Sequence, residues 1–135
     1  MEVKNNMLNI DLSIDVINDE VIAKVIFRNN STNIIYLDGW TIGMHKMLTR
    51  SVFSIIDKDD NVIPYYGVMT SRRMTTEDFI SLNPHESIQT KITVNKDYNL
   101  VKGQKYIIRY SAYNPACPGK QPNLELRSNN VEITY

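Results

Sequence analysis

A chain of 135 residues and 15.6 kDa has room for one ordinary domain. Its 42% hydrophobic content suits a packed core and its 22% charged residues a hydrated shell, which argues against a disordered chain. Lys plus Arg number 15 and Asp plus Glu number 15, so the formal net charge is zero and no strongly basic surface is expected to hold nucleic acid or anionic lipid. The single cysteine, Cys117, cannot staple the fold internally or build a cysteine-rich zinc site. No run approaches the ~18 apolar residues of a membrane span. Met1 to Asn6 show no signal-peptide core. The expectation is one domain over residues 1–135, cytoplasmic unless a leader has been removed, in which case periplasmic or secreted.

In chain order, Leu8, Ile10, Leu12, Ile14 and Val16 alternate with polar residues, the period of a strand with one buried face. Asn18-Asp19-Glu20 reads as a turn, and Val21, Ala23, Val25 and Phe27 form the inner side of a second strand. Asn29 to Asn33 is a run of turn formers, and Ile34–Leu37 is a short strand. Ser51–Ile56 and Val62–Tyr66 flank the acidic tip Asp57-Lys58-Asp59-Asp60-Asn61, a hairpin signature. Phe79–Leu82 is short, Ile88 to Val94 alternate, and Asn95–Leu100 allows one helical turn. Tyr106 to Tyr110, Leu124 to Leu126 and Val131 to Tyr135 complete the set. Regularly spaced short strands without sustained helical spacing predict an all-β fold, an antiparallel two-sheet immunoglobulin-like sandwich of about seven to eight strands.

The reactive residue types are few and scattered. His45 and His85 fit solvated loop and turn positions, and neither belongs to a metal-binding motif. Cys117 lies between Pro115 and Pro118 with nothing near it in sequence to lower its pKa. Asp57, Asp59 and Asn61 open like a calcium loop, but Val62 and Val68 stand where glycine and glutamate are required. No phosphate-cradling glycine loop and no hydrolase elbow are present. No metal, no cofactor and no enzymatic activity are expected.

Chemistry aside, one connection is unusually apolar. Asp38–Arg50 contains Trp40, Ile42, Met44, Met47 and Leu48, and aromatic anchors in pockets often dominate binding energy. The plainer reading of Trp40 and Ile42 is that they cap the end of the core. Gly67–Glu77, with Met69, Arg72, Arg73 and Met74, is a second loop that would flank the first, and Tyr113–Pro122 is a third, stiffened by prolines.

From Val62 the chain reads Val-Ile-Pro-Tyr-Tyr-Gly, then Ser71-Arg72-Arg73, Asp78-Phe79-Ile80-Ser81-Leu82-Asn83-Pro84 and Glu86-Ser87. Gly103-Gln104-Lys105-Tyr106 follows. This order resembles the β-sandwich domain that precedes the catalytic domain in deuterolysin-like and peptidyl-Lys metalloendopeptidases, over nearly the whole chain. Departures are Ile42 and Gly43 in place of a turn proline and leucine, and His85 in place of a glycine. The zinc-binding histidines of the catalytic domain have no counterpart. The resemblance implies a propeptide-like binding protein without chemistry of its own. Its partner would be a zinc metalloendopeptidase, which it inhibits or escorts by inserting an apolar loop into the cleft. The candidate contacts are Trp40, Ile42, Met44, Met47, Leu48, Arg72 and Arg73. A structural or adhesive sandwich module with a protein or carbohydrate partner is the alternative.

Overall fold

The computed structural model describes residues 7–45, 47–71 and 75–135. Strands β1 (Leu8–Ile17) and β2 (Glu20–Asn29) pair antiparallel along their full length. Asn18 and Asp19 turn the chain between them at φ 49° and 69°, the left-handed pair that a tight hairpin needs and that Asn and Asp tolerate. β2 pairs in turn with β6 (Ser87–Thr93), giving a first sheet of order β1-β2-β6. Val21, Ala23, Val25 and Phe27 all face inward and are fully buried, each large side chain contributing about 1.5–3 kcal/mol of hydrophobic stabilisation.

The second sheet is built on β7 (Lys105–Asn114). β4 (Phe53–Asp57) lies along one edge of it. β8 (Leu124–Arg127) and β9 (Val131–Thr134) pair with its two halves. Their registers, Ser111 with Arg127 and Ile108 with Val131, differ by one residue, so β8 and β9 are one edge strand interrupted by a bulge at Ser128–Asn130. Phe27 of β2 meets Tyr110 of β7 edge to face at 5.4 Å, joining the two inner faces in one core. The arrangement β1-β2-β6 against β4-β7-β8 is that of an antiparallel, immunoglobulin-like sandwich. Counted by position in the sheets, the described residues supply eight strands, because β8 and β9 share one.

The short pair β3 (Ile35–Asp38) and β5 (Phe79–Leu82) forms a third ladder. Side-chain amides attach it to the second sheet. The Asn114 amide bonds the Asp38 N–H at 2.7 Å and the Tyr36 carbonyl at 2.9 Å, and Gln121 bonds both backbone groups of Tyr36. In the same way the Asn129 amide bonds the N–H and the carbonyl of Leu12, tying β1 to the bulge. Such amides satisfy strand edges that would otherwise be left unpaired.

Two local expectations are revised. Val62–Tyr66 is not a strand: Pro64 interrupts it, and Val62 and Tyr65 make only isolated bridges to Ile56 and Tyr98. The acidic tip folds around Asp57, whose carboxylate accepts from the N–H groups of Asp59 and Asn61 and from the Asn61 side chain. Those bonds hold the Asp57 carboxyl below the usual carboxylate range, the Asn61 N–H foremost. The turn expected near Asn95 is a 3-10 turn over Val94–Lys96. No helix is long and apolar enough to cross a membrane among the described residues.

Candidate functional site

The connection from Asp38 to Arg50 is anchored at its base. Asp38 is fully buried, and its carboxylate accepts from the Thr41 N–H at 3.2 Å and the Thr41 hydroxyl at 2.6 Å. The Ile42 N–H bonds the Asp38 carbonyl, closing a tight turn, and the Tyr110 hydroxyl donates to the Thr41 carbonyl at 2.8 Å. Gly43 follows at φ +84°, where a Cβ would lie 2.6 Å from Ile92 Cδ1, so no side chain fits.

This anchoring divides the expected contact residues. Ile42 and Leu48 are buried in the core and present no surface to a partner. Met44 and Met47 project outward, about half exposed. Trp40 is half-buried and stacks on His45, ring centroids 3.8 Å apart and 23° from parallel. Arg72 and Arg73 lie outside the described residues, as does Met74. Trp40 and Ile42, read together as a cap on the end of the core, are separated by the structure: the indole is half-buried against His45, whereas Ile42 is interior.

The second loop is held against the first. The Thr70 N–H bonds the Thr49 carbonyl at 3.2 Å, and the Tyr65 hydroxyl donates to the carbonyls of Leu48 and Val68. The Tyr66 N–H bonds the Asp97 carbonyl, and Gly67 packs so closely on the Asp97 carboxylate that a Cβ would overlap it. Burial raises the carboxyl of Asp97, Lys96 opposing the shift in part, and burial likewise raises the Tyr65 hydroxyl. Tyr66, Val68 and Met69 are left exposed, Met69 at 75%. With Met44 and Met47 they are the exposed apolar side chains of two loops bonded to each other through Thr49 and Thr70 and through Leu48 and Tyr65. Tyr66 was missed because Val62–Tyr66 looked like a strand, Pro64 being the available signal, and Val68 lies within the loop Gly67–Glu77 but was passed over for its methionines and arginines.

The third loop belongs elsewhere. Its Gln121 seats on Tyr36 of β3, and Cys117 bridges back to Gln121 with its side chain buried. His85 occupies a turn at φ 68° after β5, and its N–H bonds the Asn29 carbonyl. A groove of about 290 Å³ separates the first loop from the end of β6, with Gly43, Met47 and Leu48 on one wall and Lys91, Ile92 and Thr93 on the other. No family model matches this chain, and no curated protein matches it.

Proposed function

We propose that this protein is a non-catalytic binding module, a propeptide-like inhibitor or folding escort of a zinc metalloendopeptidase. The observation that carries the reading is the exposure of Met44, Met47, Tyr66, Val68 and Met69 on two loops fastened to each other. A preorganised loop enters a cleft at little ordering cost, and methionine adapts to the pocket it meets. Supporting it, His85 adopts φ 68° at the position where the propeptide pattern has glycine, the residue that conformation favours. The loop-insertion mode is narrowed accordingly: Trp40, Met44 and Met47 are the contacts of the first loop, while Ile42 and Leu48 support them from the core.

Inhibition of a deuterolysin-type zinc endopeptidase by the purified protein tests the reading. Binding at micromolar concentration is expected, and the double substitution Met44→Asp with Met69→Asp is expected to weaken it at least about tenfold while leaving the unfolding transition in place, since both side chains are exposed. Absence of binding at that concentration overturns the proposal. Trp40→Ala is expected to weaken the complex more than the fold; equal loss of both would return Trp40 to the core.

A further inference from the structure

β6 closes one side of the first sheet, and the direction of its backbone groups follows from contacts elsewhere. Leu12 gives both its N–H and its carbonyl to Asn129, so both point away from β2. Its ladder partner Val25 therefore turns both of its groups toward β6, where it pairs with Thr90. The bonds from the Val21 N–H to Asn95 and from the Asn29 N–H to the Glu86 carbonyl fall on the same phase. Ile88, Thr90 and Ile92 thus bond inward, and Gln89, Lys91 and Thr93 present their N–H and carbonyl groups outward. Among the described residues no further strand or loop backbone takes these groups up.

The groove described above runs along this edge. Residues 91, 92 and 93 alternate between opposite faces of the sheet, so all three line one groove only at the strand's margin. The margin carries two ammonium groups, Lys91 and Lys96, against one carboxylate, Asp97, all lining the same groove. Lys91 stands directly across from Lys24 in a non-hydrogen-bonded pair, where side chains are closest and like charges repel. Ion pairs within the described residues engage Lys102 and Arg127, and neither Lys91 nor Lys96.

A second copy does not suit the edge. β6 against β6 would bring the two Lys91 side chains together, and the edge of β1, which carries Asp11 and Asp15, is closed at Leu12 by Asn129. We propose that β6 accepts an extended acidic segment of another protein as an added strand. Its backbone bonds Gln89, Lys91 and Thr93, and its alternate carboxylates meet Lys91 and Lys96. The site adjoins the apolar loops through Met47, yet the inference holds whatever protein supplies the strand.

The probe is a capped heptapeptide of sequence Thr-Glu-Val-Glu-Val-Glu-Thr, titrated into isotope-labelled full chain while amide shifts and hydrogen exchange are followed. Slowed exchange is expected at the amides of Gln89, Lys91 and Thr93, with those of Thr90 and Ile92, already bonded to β2, unchanged. A peptide with lysine in place of each glutamate should bind at least about tenfold more weakly. Lys91→Pro removes an outward N–H and no β2 bond, so it should abolish slowing with the core amides intact. Lys91→Glu should erase or invert the charge preference and covers the case in which the proline variant does not fold. Equal binding of the two peptides, protection that survives Lys91→Pro, or self-association of the free protein through β6 would each overturn the proposal.

Discussion

The phenol of Tyr98 shows how one side chain secures the entrance to a strand. Its oxygen accepts from the N–H groups of Val52 and Phe53 at 3.2 and 3.1 Å and pairs with the Ser51 hydroxyl at 2.9 Å, all where β4 begins. Tyr98→Phe leaves buried donors without a partner, and a loss of about 1–3 kcal/mol is expected by urea unfolding. The opposite sign is expected at Thr90, whose buried hydroxyl has no hydrogen-bond partner among the described residues. Thr90→Val keeps the volume and removes the stranded polar atom, so a gain of about 1 kcal/mol should appear in the same measurement. Neither role could be read in the sequence: Tyr98 followed a strand as one more aromatic, and Thr90 looked like an ordinary member of an alternating run. Burial pattern is written in period-two spacing, but the partner of a hydroxyl depends on which distant segment arrives beside it.

At the scale of elements, alternation made β1, β2, β6 and β7 legible because each is long and has one buried face. The joins between sheets were not, since they are made by Asn114, Gln121 and Asn129, residues whose sequence signal is that of turns. These amides act as both donor and acceptor, which Asp cannot do when ionised. Asn129→Asp should therefore set a carboxylate against the Leu12 carbonyl and cost more than Asn129→Ala, about 2–3 kcal/mol against about 1–2 kcal/mol. Exchange of the Leu12 amide should rise in both variants. The candidate surface was legible in part for a related reason. Methionine-rich loop composition marked the two loops, but whether a given apolar residue points in or out was set by the Asp38 turn and by Gly43, which swing Ile42 inward and release Met44.

Across the whole molecule, alkaline pH tests how deeply the tyrosines sit. Burial raises the hydroxyls of Tyr110 and Tyr98, the Tyr110 shift being reinforced by Asp38 and opposed by Arg50, that of Tyr98 opposed by its hydrogen bonds. The folded chain holds these protons after the unfolded chain has lost them near about pH 10, so the folded state binds more protons there and its stability falls as pH rises. Urea unfolding between about pH 9 and about pH 11 should show that decline, and Tyr110→Phe should show a shallower one despite a lower starting stability. A slope unchanged by the substitution would mean that Tyr110 ionises as freely folded as unfolded. The clasp between Leu12 and Asn129 spans 117 positions of sequence and has a further meaning for biosynthesis. While the polypeptide is being made, the first strand waits with a naked flank until the ribosome has delivered Asn129. Completion of the sandwich therefore waits until Asn129 has been made and has left the ribosome, and that interval is when a nascent chain of this protein is most exposed to sticking to its neighbours.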